Sequence, residues 1–249
     1  YINSHSENIF RNCTFSNVRI QNTNQSDVQI LNNVWRGNSS ITSNDASEII
    51  ISGNTATGNK GLQSISLANT SSSVITSNTI MSYAGNSSIP AIRLDHTTSI
   101  QITSNIIQDN TTTTNNNYDL ISLINDSLDI YFASNTVSEP FLTTFGGGMS
   151  VLQLSANDVT IADNTFFMNG SGGGIGVNLN ANLQSVSAEV RHNTFVLGSL
   201  CTQCNIVQPG AFTSYNIYVT STYNLFVSFA SSSANNNAHN VSGAGPSAN

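Results

Sequence analysis

The chain is poor in charged residues, and this limits the partners that it can attract. Only 8% of its 249 residues are charged: six Lys or Arg stand against thirteen Asp or Glu, for a formal net charge of −7. Lysine occurs once, at Lys60. Because a phosphate backbone is held by a basic surface, this composition argues against a nucleic-acid-binding protein. It is typical instead of a solvated acidic surface.

Long apolar runs are also missing from the sequence. A membrane-spanning helix needs about 18 or more consecutive apolar residues, so we expect no such helix in this chain. The sequence begins without Met and without a signal-peptide pattern, and it starts almost within a repeat. We therefore expect a mature or excised piece of a longer protein.

What the sequence does contain is one short pattern, written many times along the chain. The pattern is an apolar residue, two small or polar residues, Asn, any residue and a second apolar residue, as in residues 102–107. Successive copies are 21 residues apart at the start and 31 residues apart at the end. A regular spacing of this size is typical of folds that stack one structural unit per repeat. The central asparagines are Asn12, Asn33, Asn54, Asn78, Asn105, Asn135, Asn164, Asn193 and Asn224.

Alternation of apolar and polar residues around each asparagine predicts short strands with one buried face. A single repeat has too little apolar surface to fold alone, so neighbouring repeats must stack. Asn suits the bend because it tolerates the left-handed backbone region, and stacked amides can hydrogen-bond to one another. The sequence therefore predicts an all-β solenoid of about nine coils over residues 1–230, with an internal ladder. The predicted ladder residues are Asn33, Asn54, Asn78, Asn105, Asn135, Asn164, Asn193 and Asn224.

With this pattern, the chain resembles the right-handed parallel β-helices of the pectin-lyase-like superfamily, whose coils often carry an Asn ladder. The resemblance extends over most of the chain, from about residue 9 to about residue 230. It implies a single right-handed parallel β-helix. The same fold serves lyases, hydrolases, epimerases, phage tailspikes and surface adhesins, so the resemblance implies no single activity.

Insertions lengthen the later coils, and all of them fall at one corner of the predicted coil. Insertions at one face of a solenoid often form the binding surface, and inert surface decoration is the competing interpretation. The final segment, residues 231–249, has no repeat pattern, so we expect an irregular Ser-, Asn- and Gly-rich tail or linker. The insertions span residues 81–90, 108–119, 138–148, 168–174 and 196–212.

The strongest candidate for chemistry is the segment that contains Arg93, Asp95 and His96. Alternation places Arg93 and Asp95 together on the outer face. In lyases of the superfamily that the chain resembles, an outer Arg or Lys acts as the base beside calcium-binding carboxylates, and Asp-His is similar to an element of pectate lyases. Neighbouring coils offer no ladder of carboxylates, so we expect no metal and no cofactor. The equivalents of Arg93 are Ser66, Ser122, Gln153 and Asn178. An exposed structural ion pair is the competing interpretation.

Two further groups of ionisable residues have both a catalytic and a structural interpretation. Five Asp residues on neighbouring coils either form paired carboxylates, as in glycosidases, or cap turns. Arg191 and Glu189 are predicted to share the outer face, with His192 either a general base or a turn residue. The five Asp residues are Asp119, Asp126, Asp129, Asp158 and Asp163.

The three cysteines do not form a recognisable redox or zinc motif. Cys201 and Cys204 lie in the longest insertion, outside the helix-start context that thioredoxin-like chemistry needs. A local disulfide at the loop tip is the expected pairing for an extracellular protein. Cys13 is then expected to be a free thiol near the core.

Two glycine runs, residues 146–148 and 172–176, precede inward strands. They are similar to the Gly-Gly-Ala-Ile elements of polymorphic outer-membrane autotransporters, and Phe132 and Asn135 match the companion Phe-x-x-Asn element. This resemblance implies a surface-displayed passenger. Flexible turns are the competing interpretation.

These features predict a secreted or surface-displayed structural or adhesive β-helix without catalytic activity. We expect it to bind a glycan or a protein surface, or to form an extracellular assembly such as a filament. The ends of a β-helix need caps, so association through open ends is also expected. The alternative is a polysaccharide-acting enzyme, lyase before hydrolase, centred on Arg93, Asp95 and His96.

Overall fold

A computed structural model shows that the chain is a parallel β-solenoid, which confirms the predicted fold class. Within the part of the chain that the structure describes, every regular element is a β-strand. That part comprises residues 2–3, 8–57, 65–83, 90–109, 119–139, 149–169, 174–179, 185–199, 205–209, 217–229 and 237–239.

The described residues form 25 strands, most of them three to six residues long. They are β1 (Ile2–Asn3), β2 (Ile9–Arg11), β3 (Thr14–Ser16), β4 (Arg19–Thr23), β5 (Gln29–Leu31), β6 (Val34–Arg36), β7 (Ser40–Ser47), β8 (Ile50–Ser52), β9 (Thr55–Thr57), β10 (Ile65–Thr76), β11 (Thr79–Tyr83), β12 (Ile92–Asp95), β13 (Thr98–Thr103), β14 (Ile106–Asp109), β15 (Asp119–Ala133), β16 (Thr136–Glu139), β17 (Met149–Ala162), β18 (Thr165–Met168), β19 (Gly174–Leu179), β20 (Val186–Arg191), β21 (Thr194–Leu197), β22 (Asn205–Pro209), β23 (Ile217–Thr222), β24 (Leu225–Ser228) and β25 (Asn237–His239).

The strands stack into two sheets, and each strand pairs in parallel with its equivalents on the neighbouring coils. The larger sheet has sixteen strands, because long strands such as β10 and β15 turn a corner and carry two runs of pairing. The smaller sheet has nine strands, from β3 to β24. The main path of the larger sheet runs through ten strands, from β1 to β25. The two sheets therefore do not give one coil count, and the predicted number of nine coils matches only the smaller sheet.

Inward-facing apolar side chains fill the space between the sheets, as the alternation predicted. Ile92 and Leu94 of β12 are fully buried, and Trp35 lies inside the stack with 2% of its surface exposed. Phe132, Phe166, Phe195 and Phe226 stack over one another with ring centroids 5.0–6.3 Å apart. Each fully buried aliphatic or Phe side chain contributes about 1.5–3 kcal/mol, so the shared core holds the coils together.

The structure places the eight ladder asparagines in a continuous hydrogen-bonded column. From Asn54 onward, the Oδ1 atom of each ladder asparagine accepts both the backbone N–H and the Nδ2–H of the asparagine one coil earlier, at distances of 2.8–3.1 Å. Asn33 Oδ1 accepts the backbone N–H of Cys13. Each Nδ2 also donates to a backbone carbonyl, as Asn105 does to Ile75. The column thus satisfies polar groups inside the core, where an unpaired one is costly.

Two details of the predicted bend are wrong. The left-handed residue is the one before each ladder asparagine, as at Ser104 (φ 56°) and His192 (φ 54°), because the asparagine itself must turn its amide inward. In the first coil, Asn12 is this bend residue (φ 54°), and Cys13 occupies the ladder position, where its N–H donates to Asn33 Oδ1. The first repeat interval is therefore 20 residues.

The corrected register also changes which residues of the first coil face inward. Phe10 pairs with Ile30 and packs against the core, whereas Ile9, the apolar residue three before Asn12 in the repeat pattern, is 55% exposed. Cys13 is exposed and not near the core. At the other end, Ser221 takes the aliphatic position beside Val190, and its Oγ accepts a hydrogen bond from Asn224 Nδ2.

The predicted insertions follow strands of the smaller sheet, at the side of the coil that leads back to the larger sheet. Most of their residues lie outside the described part of the chain. Within the segment expected to be an irregular tail, β25 pairs in parallel with β22. The rest of that segment also lies outside the described residues.

Candidate functional site

Arg93 and Asp95 lie on the outer face of the larger sheet, as the sequence predicted. Both belong to β12, in which Ile92 and Leu94 point into the core. The side chain of Arg93 is 33% exposed and that of Asp95 is 18% exposed. Strand alternation therefore brings the two charges to one partly covered face.

Three side chains donate hydrogen bonds to the carboxylate of Asp95. An Nη atom of Arg93 donates to Oδ2 at 2.7 Å, and Asn125 Nδ2 donates to Oδ1 at 2.9 Å. His96 Nδ1 lies 2.8 Å from the same Oδ1. Because Asp95 is the acceptor in the other two bonds, we assign the proton of this third bond to Nδ1.

These contacts determine the protonation state of Asp95. Partial burial by itself raises the pKa of the carboxyl group, because it disfavours the charged form. The hydrogen bonds from Arg93, Asn125 and His96, together with the charge of Arg93, outweigh burial, so the pKa of Asp95 lies below its ordinary value of 3.8. Asp95 is therefore a permanent carboxylate near neutral pH.

Asn125 is a member of this cluster that the sequence reasoning missed. Asp95 pairs with Ile124 on the next coil, so Asn125 lies beside His96, and both residues have positive φ (50° and 52°). The repeat spacing gives the position of Asn125 beside His96, although not its contact with Asp95. Once Arg93 is aligned with Ser122, counting three residues onward reaches Asn125.

A row of uncharged polar residues continues from Arg93 along the solenoid axis. The backbone register aligns one such residue on each neighbouring strand, including the four equivalents expected from the sequence. We call this set the polar row. It comprises Gln21, Thr42, Ser66, Arg93, Ser122, Gln153 and Asn178. Its residues lie about 4.8 Å apart, the spacing of neighbouring strands.

The five candidate Asp residues do not form one cluster in the described part of the chain. Asp129 and Asp158 occupy the same corner on adjacent coils, and Asp129 Oδ2 accepts a 2.6 Å hydrogen bond from Ser99. Asp163 lies at a different corner, where it precedes a ladder asparagine. The side chains of Asp119 and Asp126 lie outside the described residues.

The corner of Asp129 carries further carboxylates that the sequence reasoning did not single out. Asp27 and Glu48 occupy it on adjacent coils, both with φ 58°. A hydrogen bond with Asp27 and repulsion by its charge raise the pKa of Glu48 above 4.5. These carboxylates could have been found from their position, because each residue ends the turn between the two strand runs of its coil.

The third candidate group consists of an ion pair, Arg191 with Glu189, and a turn residue, His192. Arg191 Nε lies 3.3 Å from Glu189 Oε1 on the outer face, as expected from their spacing. His192 is a bend residue whose ring stacks on Tyr223 at 5.4 Å, with Nδ1 3.9 Å from Asp163. His192 is half-exposed at a corner, which is the geometry expected of a turn residue and not of a general base.

Several predicted features lie outside the described residues. They are the Cys201–Cys204 disulfide and residues 146–148 and 172–173 of the two glycine runs. Phe132 is fully buried and Asn135 belongs to the ladder. Other coils place Ile102 or Val190 at the position of Phe132.

Among the described residues, no three or more His, Cys, Asp or Glu side chains come together as a metal site. None of the described elements is a helix that is long and apolar enough to span a membrane. A scan against protein-family models finds no match, and a search of curated proteins finds no significant relative. The repeat, the fold and the geometry of the outer face are therefore the features from which a function can be inferred.

Proposed function

We propose that the protein is a secreted or surface-displayed structural or adhesive β-helix that binds a glycan without catalysing a reaction. The observation that supports the proposal is the polar row. One residue with an amide, hydroxyl or guanidinium group per coil lies in register on a face of parallel strands. Gln21, Thr42 and Arg93 are partly exposed on this face, whereas Ser66 and Ser122 are buried. A linear row of hydrogen-bonding groups suits an extended polymer of hydroxylated units.

Rigidity supports the same interpretation. The ladder and the apolar core beneath the row fix each coil relative to the next, so the row is ordered before any ligand arrives. Preorganised groups lose little conformational entropy on binding, which raises affinity without a deep pocket. The resemblance to pectin-lyase-like β-helices and to autotransporter passengers supports the extracellular setting of the proposal.

A polysaccharide-acting enzyme of the lyase type is the second candidate, because Asp95 contacts both Arg93 and His96. Proton abstraction by Arg93 would need a neutral guanidinium group. Arg side chains are protonated under almost all conditions, and Arg93 forms an ion pair with Asp95. Asp95 itself accepts three hydrogen bonds and has a lowered pKa, which makes it a poor base near neutral pH.

The test combines binding and turnover on the same polysaccharides, measured by affinity gel electrophoresis and by release of new chain ends. We expect retardation of the native protein by at least one glycan, with no new chain ends. Gln21→Ala, within the polar row, should weaken retardation. Gln101→Ala is the matched control, because Gln101 is exposed on the outer side of the other strand run.

Two results would count against this proposal. If Gln101→Ala weakens binding as much as Gln21→Ala, the polar row is not the binding surface. If new chain ends accumulate and Arg93→Gln abolishes them, the protein is an enzyme and the second candidate replaces the first.

A further inference from the structure

Arg93 is the only charged side chain within the polar row. The other members carry amides and hydroxyls, which hydrogen-bond to neutral and charged sugars alike. Arg19, at the start of β4, is a second cation on this face, three coils from Arg93. The charge selectivity of the row therefore depends mainly on whether the charge of Arg93 is compensated.

The structure neutralises Arg93 from within the same face. Asp95 lies 2.7 Å from an Nη atom of Arg93, with only 18% of the carboxylate side chain exposed. Asn125 and His96 hold the carboxylate in place from a second strand and from the turn. An anionic ligand would have to compete with a carboxylate that is already positioned, so the pair offers it little attraction.

The corner beside this face is acidic. Five exposed carboxylates line it on four coils, in two groups separated by the coils of Ser72 and Ser99, and we call them the acidic rim. Their field repels polyanions, and the net charge of −7 adds to it at low ionic strength. The acidic rim consists of Asp27, Asp45, Glu48, Asp129 and Asp158.

From this arrangement we infer that the polar row selects uncharged glycans and rejects uronic acid and sulfated polymers. The Arg93–Asp95 pair acts as the charge filter of the row. The inference rests on the proposed glycan-binding function and adds the chemical class of its ligand. A neutral polymer contacts the partly exposed Gln21 and Thr42 without meeting repulsion from the rim, whereas a polyanion meets the rim and finds Arg93 already paired with Asp95.

The experiment compares polymers that differ only in charge, with the full chain near neutral pH and at low salt. Polygalacturonate is compared with its methyl ester, and polymannuronate with mannan. We expect retardation by a neutral polymer and none by its acidic counterpart. Asp95→Asn leaves Arg93 uncompensated and should raise affinity for the acidic polymers about fivefold, which is the upper end for one exposed charge pair. High salt should remove this gain.

The double variant Asp95→Asn with Arg93→Gln is the control, because it removes both charges and should lose the gained acidic binding. Circular dichroism would establish that each variant keeps its β-sheet content. Stronger binding of acidic than of neutral polymers by the native chain would overturn the inference and leave glycan binding intact. If no polymer of either class binds, glycan binding itself fails, and the charge filter fails with it.

Discussion

Asn105 shows what one ladder residue contributes to this solenoid. Its side chain is 1% exposed, and its Oδ1 atom accepts the N–H and the Nδ2–H of Asn78. Its Nδ2 donates to Asn135 Oδ1 and to the carbonyl of Ile75. One amide therefore satisfies polar groups on three successive coils, none of which water can reach easily.

Replacing Asn105 by Ala should lower the free energy of unfolding by about 3 kcal/mol or more, because several buried groups lose their partners at once. Asn224→Ala is the matched control: Asn224 is partly exposed at the end of the ladder, where water can replace its bonds. Urea unfolding of both variants measures the difference. Equal losses would show that the ladder contributes no more in its middle than at its end.

Because of Asp95, the stability of the folded protein depends on pH in the acidic range. Its pKa is lower in the folded chain than the ordinary value of 3.8, so the unfolded chain binds this proton more readily. The resulting stability is fully present above 3.8 and is lost as the pH falls through the folded-state pKa. Acidification should therefore destabilise the native chain in this range.

We expect Asp95→Asn to lower the free energy of unfolding at neutral pH by about 1.5 kcal/mol, because charged hydrogen bonds are lost. The variant should also show a smaller loss of stability on acidification than the native chain. Asp129→Asn serves as the control, since Asp129 is exposed and accepts a bond from Ser99. Parallel pH profiles for the native chain and Asp95→Asn would contradict this prediction.

At the residue scale, the ladder was predicted from the sequence, but the positive φ angle was assigned to the wrong residue of the bend. The ladder could be predicted because the same residue type recurs at one position of every repeat. The positive φ angle could not be assigned to Ser104 or His192, because the bend position is occupied by different residue types from coil to coil. Cys13 was missed because only its backbone N–H takes part in the ladder, so its side chain gives no signal.

At the scale of elements, the turn of Asp27 and Glu48 brings two carboxyl groups together on adjacent coils. The pKa of Glu48 is raised, chiefly by a hydrogen bond with Asp27 and then by its charge. The folded chain thus binds this proton more tightly than the unfolded chain. The stabilising effect is present below the unfolded value of 4.5 and is lost as the pH rises through the folded-state pKa.

Glu48→Gln should therefore raise the thermal midpoint at neutral pH, where the native pair is ionised and repulsive. Below pH 4.5, where Glu48 of the native chain is protonated, the difference should disappear. Asp45→Asn is the neighbouring control: Asp45 accepts a hydrogen bond from Asn69 Nδ2, and its loss should not stabilise the protein. Differential scanning calorimetry at both pH values would measure this. A midpoint for Glu48→Gln below that of the native chain at neutral pH would refute it.

Strand register was largely predictable from the sequence, and contacts across turns were not. The pairing of Arg93 with Ser66 and Ser122 follows from counting within each repeat. The contact of Asn125 with Asp95 depends on how a turn directs its side chains, which repeat spacing alone does not determine. The fold could thus be predicted more completely than the candidate site.

At the scale of the molecule, each coil contacts only its neighbours, so stability is shared along one dimension. The central coils are covered on both sides, as β13 is by β10 and β15. Near the C-terminal end, Phe226 is 42% exposed although its equivalent Phe195 is fully buried. The ends therefore have less of the burial that opposes opening.

Hydrogen exchange should reveal this gradient. We expect the slowest exchange of backbone amides in β13 and the central part of β15, and faster exchange in β2, β3, β23 and β24. Mass spectrometry of peptides from native exchange would give the profile. Uniform protection from β2 to β24 would mean that the solenoid opens only as a whole, contrary to this expectation.

The ladder has a direction, and this makes its two ends different. Every Oδ1 faces the preceding coil, so the amide dipoles add along the axis with their negative ends toward the N-terminal end, the reverse of an α-helix. The first position needs only a backbone N–H, which Cys13 supplies, so any residue except proline can begin the column. The last position must supply a side-chain oxygen, as Asn224 does. The column therefore accepts any residue with a backbone N–H where it starts, and ends on a side-chain oxygen that is partly open to water.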